Sequence, residues 1–195
     1  MTQDALRHVD DATQGLGERG FFVRDGFLGI ELARQVRDAA RRVELRPGGI
    51  RKSATVDHTV RTDELAWLSA EETTGALREA VAAFERLRDA LNQSAYLGLR
   101  SFDLQLARYR PGAKYVKHRD AFPGQENRRL TAIVYLNEGW TERDGGELEL
   151  CVEPIVRVQP VLDRLVVFRS ELIEHQVLES HAAERWALTA WYSAR

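Results

Sequence analysis

The chain has 195 residues, of which 44% are hydrophobic and 30% are charged, and these proportions are ordinary for a single globular domain. Its net charge of −2 excludes a generally basic surface for nucleic acid, and no apolar run approaches the roughly 20 residues that a membrane helix needs. Cys151 is the only cysteine, which excludes an internal disulfide and fits a reducing cytoplasm. The first residues lack the apolar core of a signal peptide, so we expect a cytoplasmic protein. We expect its partners to be neither nucleic acids nor membranes.

The first half of the chain carries mainly helical patterns. Apolar residues at three- and four-residue steps predict helices over residues 29–44 and 71–92, and a looser stripe predicts another over residues 3–17. A short apolar strand is predicted over residues 20–27. Residues 46–63 break the periodicity with a turn-rich, locally basic segment. A loop of this length is usually functional or disordered, so we interpret it either as a lid over the substrate or as a disordered connector.

The second half of the chain has strand patterns. Alternating or continuous apolar runs predict strands over residues 102–109, 130–136, 147–153, 164–168 and 186–192. Helices followed by strands are typical of an α+β protein, and short strands in this number favour a jelly-roll-like β-sandwich. We therefore predict one domain over residues 1–195. Residues 1–100 supply helical support and the loop, and residues 101–195 form the β core that carries the functional site.

Three side chains in the β half are candidate metal ligands. His118 and Asp120 are two residues apart, so on an extended segment both leave the same face of the backbone while Arg119 points away. His175, from a distant strand, completes a set of two imidazoles and one carboxylate, which is the facial triad that holds Fe(II) and leaves coordination positions open. Imidazole also binds zinc, but a structural zinc site requires a fourth ligand, and the sequence offers no obvious one. Each residue taken alone is more often a surface or hydrogen-bonded side chain, and only their order along the chain indicates a site.

The last predicted strand places an arginine among inward-facing side chains. Alternation puts Arg185, Ala187, Thr189 and Trp191 on one face, which we infer to look into the barrel. An inward-facing guanidinium is costly to bury unless it meets an anion. A small dicarboxylate held by two parallel hydrogen bonds satisfies this requirement, and an internal ion pair with a protein Asp or Glu is the alternative.

Several of these residues lie in longer ordered motifs. The motifs are Tyr109-Arg-Pro-Gly, Tyr115-Val-Lys-His118-Arg-Asp120, Arg129-Leu-Thr-Ala-Ile-Val-Tyr135-Leu-Asn137, Gly145-Gly146, Asp163-Arg-Leu, His175 and Arg185-Trp-Ala-Leu-Thr189-Ala-Trp191-Tyr192. With them the chain resembles the 2-oxoglutarate- and Fe(II)-dependent dioxygenases of the prolyl 4-hydroxylase branch, which includes the hypoxia-inducible factor prolyl hydroxylases of animals and their bacterial relatives. The resemblance covers roughly residues 20–195. It implies a double-stranded β-helix, or jelly roll, that uses Fe(II) and 2-oxoglutarate, with ascorbate as a further candidate cofactor.

The resemblance also implies roles for individual residues around the cosubstrate. The three candidate ligands described above would bind Fe(II). Arg185 would pair with the distal carboxylate of 2-oxoglutarate, and Tyr135 would donate its hydroxyl to the same carboxylate. Thr189 would lie beside this pocket, and Tyr109 would lie near the metal and the cosubstrate. The arginine-bearing face of the last strand would then be the cosubstrate-binding face.

Other matched positions face the prime substrate in the family. Arg129 and Trp191 match residues that face the peptide, and Tyr115 is grouped with them as a substrate-binding candidate. The segment Arg61-Thr-Asp63…Trp67 resembles an Arg-Gly-Asp…Trp segment at the end of a substrate-covering loop, with threonine in place of the glycine. These matches favour a peptide over a small molecule as the prime substrate.

These expectations define one principal hypothesis and several alternatives. The principal hypothesis is a dioxygenase that hydroxylates a proline in a flexible loop of a cytoplasmic protein, with succinate and CO₂ as coproducts. The family suggests a translation factor or a ribosomal protein in a bacterium as that partner. The alternatives are a hydroxylase of a free amino acid or another small molecule, a non-catalytic sensor that reports iron, oxygen or 2-oxoglutarate, and, more distantly, a zinc-dependent hydrolase.

Overall fold

A computed structural model describes residues 14–48, 50–52, 55–57, 61–121 and 128–194. Its strands and helices are, in chain order, β1 (Phe21–Asp25), α1 (Ile30–Ala40), β2 (Arg46–Pro47), β3 (Ile50–Lys52), β4 (Thr55–Asp57), β5 (Glu64–Leu68), α2 (Gly75–Ala95), β6 (Ser101–Tyr109), β7 (Tyr115–His118), β8 (Arg128–Tyr135), β9 (Leu148–Leu150), β10 (Val156–Val158), β11 (Arg164–Arg169), β12 (His175–Val177) and β13 (Arg185–Ser193). Residues 14–18 are also helical and belong to the predicted first helix, the rest of which lies outside the described residues.

Two antiparallel sheets form the body of the protein. The larger sheet has the strand order β1-β11-β8-β13-β6-β5-β2, and the smaller sheet has the order β10-β9-β12-β7. Strands β3 and β4 pair separately with each other. Four of the predicted strands correspond to β6, β8, β11 and β13, which lie side by side in the larger sheet in the order β11-β8-β13-β6. The predicted α+β class with a jelly-roll core is confirmed.

The two faces of β13 serve two different cores. Trp186 and Tyr192 belong to a cluster that includes Phe84 of α2, and the hydroxyl of Tyr192 donates to the carbonyl oxygen of Phe84 at 2.8 Å. Ala187, on the opposite face, belongs to a second cluster between the sheets, together with Leu150 of β9. The alternation predicted for this strand is therefore present in the structure. The helices cover the outer face of the larger sheet. Its inner face points toward the smaller sheet and is available to form a functional site.

The helix boundaries differ from the predicted ones. The α2 helix begins only at Gly75, because the hydroxyl of Ser69 caps a separate turn before it. It ends where Tyr96 adopts a left-handed conformation with φ of 52°. The side chain of Asn92 then exchanges two hydrogen bonds of 2.7 Å with the backbone of Leu99, which leads the chain into β6.

The segment predicted as a loop over residues 46–63 contains three short strands in its described part, β2, β3 and β4. Strand β2 pairs with β5 at the edge of the larger sheet. Residues 49, 53, 54 and 58–60 of this segment lie outside the described residues. Among the helices that the structure describes, none has the length and apolar character needed to cross a bilayer.

A buried aspartate connects the start of α1 to the larger sheet. Asp163 is 3% exposed and has a left-handed φ of 63°. Its two carboxylate oxygens accept the backbone N–H groups of Leu28 and Gly29 at 2.7 and 2.8 Å. A carboxylate at a helix N-terminus also interacts favourably with the helix dipole. The Asp163 side chain therefore fixes α1 against the turn before β11.

Replacing Asp163 with alanine is expected to destabilise the fold by about 2 to 4 kcal/mol, because two backbone N–H groups lose their acceptor and alanine must adopt a left-handed conformation. Urea unfolding followed by circular dichroism measures this change. Asp163→Asn is the control, because asparagine tolerates that backbone conformation and keeps one acceptor oxygen, so its loss should be clearly smaller. An alanine variant with the wild-type unfolding midpoint would contradict this role.

Candidate active site

The three candidate metal ligands converge on the smaller sheet. Strands β7 and β12 pair so that His118 lies opposite His175. Asp120 places Oδ1 3.4 Å from Nε2 of His118 and Oδ2 3.6 Å from Nε2 of His175. One ligand atom from each of the three residues lies within 4.8 Å of the others. The side chain of Arg119 is half-exposed and lies near Glu174 instead, so it stays out of the group.

Hydrogen bonds fix the protonation pattern of both imidazoles. Nδ1 of His118 lies 2.8 Å from the carbonyl oxygen of Val116, and Nδ1 of His175 lies 3.3 Å from that of Ile173. A carbonyl oxygen only accepts, so each Nδ1 carries a hydrogen, and Nε2 is the ring nitrogen that is available to a metal. Burial lowers the pKa of His175, although the charge of Asp120 opposes this effect.

Asp120 is held by a pair of hydroxyl groups that the sequence analysis did not identify. Thr131 on β8 donates its hydroxyl to Oδ2 of Asp120 at 2.7 Å, and the hydroxyl of Ser170 lies 2.9 Å from that of Thr131. Burial is the largest influence on the pKa of Asp120 and raises it, but the imidazoles, His175 first, and Thr131 together hold this pKa well below its usual range. Alternation along β8 places Thr131 on the same face as Tyr135, and this signal identifies it in retrospect.

This donor set fits Fe(II). Two imidazole nitrogens and one carboxylate supply three ligands, and no fourth His, Cys, Asp or Glu joins them in the part of the chain that the structure describes. Structural zinc sites are closed by four protein ligands, whereas three ligands leave positions open for reacting groups. The geometry therefore favours a catalytic iron site over a structural zinc site.

Arg185 is a buried cation whose charge is not neutralised by the described residues. It is 2% exposed, and its guanidinium carbon lies 4.8 and 5.1 Å from the ring centroids of Tyr109 and Tyr135. Its Nε donates to the carbonyl oxygen of Gly146 at 2.6 Å. No carboxylate of the described residues lies within 4.0 Å of Arg185, so the internal ion pair considered as an alternative is not found in this part of the chain.

Tyr135 adds an unsatisfied donor beside Arg185. Its hydroxyl is fully buried and has no hydrogen-bond partner among the described residues. Burial raises the pKa of Tyr135 to about 12, although Arg185 opposes this effect, so the phenol keeps its proton at neutral pH. A phenol without an acceptor and a guanidinium without a neutralising carboxylate suit the distal carboxylate of 2-oxoglutarate. Thr189, predicted to lie beside the cosubstrate, lines a cavity that also contains Arg185 and the candidate iron ligands.

Gly146 sets the position of Arg185. It has a left-handed φ of 65°, and a Cβ at this position would lie 2.9 Å from Cδ of Arg185. A side chain at residue 146 would therefore push the arginine away from the carbonyl oxygen that it now contacts. Gly145-Gly146 is one of the sequence motifs, and the position of Arg185 requires a glycine at residue 146.

The residues predicted to face the prime substrate are only partly brought together. Tyr115 and Trp191 line the cavity that contains the iron ligands, and Tyr115 stacks on His118 with ring centroids 3.7 Å apart. Arg129 is exposed on β8 and is not among the described residues that line this cavity. Its neighbour Arg128 instead places its guanidinium carbon 4.8 Å from the ring centroid of Trp191.

Fold and site together define a non-haem Fe(II) oxygenase that uses a 2-oxo acid. The family model of the 2OG-Fe(II) oxygenase superfamily matches residues 104–193. Prolyl hydroxylase EGLN3 of Homo sapiens is 30% identical over 194 residues, which cover 91% of this chain and 80% of that protein. The chain belongs to the 2OG-Fe(II) oxygenase superfamily and, within it, to the prolyl hydroxylases, and it is an enzyme that requires Fe(II) and 2-oxoglutarate.

Solved structures agree with this assignment. The crystal structure of a Pseudomonas putida prolyl-4-hydroxylase superposes with a TM-score of 0.87 at 34% identity, covering 96% of this chain and 99% of that one. A prolyl hydroxylase from Trichoplax adhaerens, in complex with a peptide fragment of the hypoxia inducible factor oxygen degradation domain, superposes with a TM-score of 0.86 at 25% identity, covering 100% of this chain and 94% of that one. The likeness therefore extends over almost the whole chain.

Thr131→Val keeps the shape of the side chain but removes the hydroxyl that orients Asp120. We expect iron affinity to fall about ten- to a hundredfold, which is typical for losing a partner of a metal ligand. Anaerobic titration with Fe(II) measures the affinity. Thr131→Ser retains the hydroxyl and is the matched control, expected to bind iron much as the wild type does. Equal affinities for the valine variant and the wild type would argue against an orienting role.

Gly146→Ala keeps every polar group of the cosubstrate pocket but displaces Arg185. We expect the affinity for 2-oxoglutarate to fall at least about tenfold, because paired hydrogen bonds to a carboxylate depend on the position of the guanidinium. Anaerobic titration of the metal-loaded protein measures it. Gly98→Ala is the matched control, since Gly98 has the same φ of 65° and nothing within 4 Å of an added Cβ. An equal loss in both variants would assign the effect to backbone strain.

Proposed function

We propose that this dioxygenase hydroxylates a prolyl residue within a polypeptide and releases succinate and CO₂. The observation that carries the proposal is the convergence, in one cavity, of the iron ligands, Arg185 and the indole of Trp191, with the phenol of Tyr135 beside Arg185. When bound, Fe(II) and 2-oxoglutarate use O₂ to convert a C–H bond of the substrate into C–OH, with 2-oxoglutarate split into succinate and CO₂.

The chain's own residues bind and orient these groups. His118, Asp120 and His175 would hold the metal through Nε2, one carboxylate oxygen and Nε2, and leave its other positions open. Arg185 and Tyr135 would hold the distal carboxylate, so that the 2-oxo acid end faces the metal. These contacts orient the cosubstrate before the prime substrate arrives. Ascorbate remains a predicted additional cofactor.

The surroundings of Trp191 support a polypeptide as prime substrate. Its ring lies 5.6 Å from that of Trp67, which is 55% exposed at the rim of the cavity. A groove with a volume of ≈ 570 Å³ begins at Trp67 and continues past Phe102 to Arg100. A substrate anchored at the iron therefore has an adjoining surface on which further residues can lie, which a free amino acid does not need.

The relatives support the same substrate class. The EGLN3 proteins are named prolyl hydroxylases, and the Trichoplax adhaerens enzyme was solved with a peptide fragment. Within this proposal the partner is a cytoplasmic protein with a proline in an exposed loop, for which a translation factor or a ribosomal protein is the predicted example. A free amino acid or another small molecule is the second candidate for the same chemistry.

Mass spectrometry of host-cell proteins tests the proposal. Cells that express the wild type are expected to contain at least one protein with oxygen added at a proline, and the signal should be absent with Asp120→Ala, because the triad loses its carboxylate. Asp89→Ala is the matched control, since it makes the same change at an exposed position of α2. Purified wild type should also release succinate with a peptide from the modified protein. Unchanged prolines in both experiments would refute the proposal.

A further inference from the structure

A buried ion pair anchors one wall of the cavity. Arg61 donates from Nε and Nη2 to the two carboxylate oxygens of Asp63 at 2.6 and 2.7 Å. Asp63 is 2% exposed, and the guanidinium carbon of Arg61 also lies 5.0 Å from the ring centroid of Tyr115. Two parallel charge-assisted hydrogen bonds hold a guanidinium in a fixed plane. The position of the Arg61 guanidinium is therefore fixed, so Arg61 can orient the side chains that it contacts.

Gln105 on β6 is oriented by this arginine. Nη2 of Arg61 also donates to Oε1 of Gln105. Because a guanidinium has only donors, the amide atom that meets it must be the oxygen, and this fixes which way the amide group points. Nε2 of Gln105 is then left as a donor, and it has no hydrogen-bond partner among the described residues, although Gln105 is 1% exposed. A buried donor without an acceptor is costly, and a bound ligand can supply that acceptor.

Trp191 supplies a second donor of the same kind. Its Nε1 is buried and has no partner in the part of the chain that the structure describes. Gln105 lies opposite Thr189 in the pairing of β6 with β13, so Trp191, two residues further along, projects from the same face. Both side chains line the cavity that contains the iron ligands. Two N–H donors therefore face the space beside the metal without an acceptor.

The charges of this cavity define what those donors can bind. Arg61 and Arg185 both line it, and Asp120 is the single carboxylate among its described lining residues. Asp120 belongs to the metal site and Asp63 is engaged by Arg61, so neither is available to a ligand cation. A free amino acid brings an ammonium group that needs an acceptor. A proline inside a chain has no N–H at all, and its flanking peptide groups present carbonyl oxygens.

We propose that Nε2 of Gln105 and Nε1 of Trp191 bind backbone carbonyl oxygens next to the target proline, and that Gln105 thereby selects an acylated, chain-internal proline over free amino acids. This inference rests on the proposed function and deepens it, because it names the feature of the substrate that the pocket recognises. Arg61 acts as a positioning residue that holds the amide with its donor toward the substrate. A peptide is favoured because its carbonyl oxygens accept from the two donors. A free amino acid is disfavoured because its ammonium group finds no acceptor in the cavity.

The test uses the iron-loaded enzyme, a pooled library of end-capped peptides that each contain one proline, and free L-proline. Gln105→Glu keeps the oxygen that faces Arg61 but replaces the donor with a carboxylate oxygen. We expect kcat/KM for the capped peptide with the highest wild-type turnover to fall about ten- to a hundredfold, mainly through KM. The ratio of this kcat/KM to that for free L-proline should fall as well, because a carboxylate accepts the ammonium group.

Two further variants separate this effect from a structural one. Gln105→Met removes the amide at similar length, so it should weaken peptide turnover without any gain on free L-proline, and it decides the question if the glutamate variant does not fold. Gln93→Glu makes the same change at an exposed position of α2 and should keep the wild-type KM and preference. A general disturbance of the cavity would lower turnover of both substrates alike and leave their ratio unchanged.

The outcomes distinguish a failure of the inference about Gln105 from a failure of the proposed function. If the wild type oxidises capped peptides and both Gln105 variants keep its peptide KM and its preference over free L-proline, the inference is wrong and the proposed function stands. If the wild type adds oxygen to no prolyl peptide of the library and to no host protein, the proposed function fails and the inference fails with it. A raised peptide KM with a reduced peptide preference in Gln105→Glu supports both.

Discussion

The antiparallel pairing of β7 with β12 is the constraint on which the site depends. It sets His118 opposite His175 and leaves Asp120 just beyond the end of β7, within reach of both imidazoles. Protein contacts fix all three side chains, through backbone carbonyl oxygens for the histidines and through the hydroxyl of Thr131 for the carboxylate. A change in the register of these two strands by one residue would turn one imidazole to the opposite face and remove the metal site.

The cavity above this pairing is rich in donors and poor in acceptors. Tyr135, Gln105 and Trp191 each have a buried donor without a hydrogen-bond partner among the described residues. Arg185 donates to a carbonyl oxygen, but no carboxylate of the described residues neutralises its charge. Burying such groups lowers the stability of the free protein, and a ligand that supplies acceptors recovers part of this cost. A dicarboxylate and a peptide that contains proline are both rich in acceptor oxygens. The same physical rule therefore supports both the cosubstrate and the proposed prime substrate.

Sequence patterns were sufficient for the fold class and for the inward face of β13, because period-two alternation is local. The His118-x-Asp120 pair is local as well, whereas His175 was grouped with it from the order of motifs along the chain, and the structure brings the three side chains together. The contacts of Thr131 with Asp120 and of Arg61 with Gln105 depend on which strands become neighbours, so spacing alone did not reveal them. The region around Arg129 shows a different limit. An irregularity in the pairing of β8 with β13 lies beside it, and such bulges redirect side chains in a way that strand alternation does not anticipate.

Both halves of the chain contribute residues to the cavity and its surroundings. The iron ligands and Arg185 all come from the β core. The rim, in contrast, includes Arg61 and Trp67 from the first half of the chain, and β5 lies next to β6 so that Trp67 pairs with Gln105. Substitutions before residue 100 are therefore expected to alter the proposed substrate recognition without changing a candidate metal ligand. The two histidines of the metal site lie on the smaller sheet, whereas Gln105 and Trp191 lie on the larger one, so metal binding and the proposed recognition of the substrate depend on different strands.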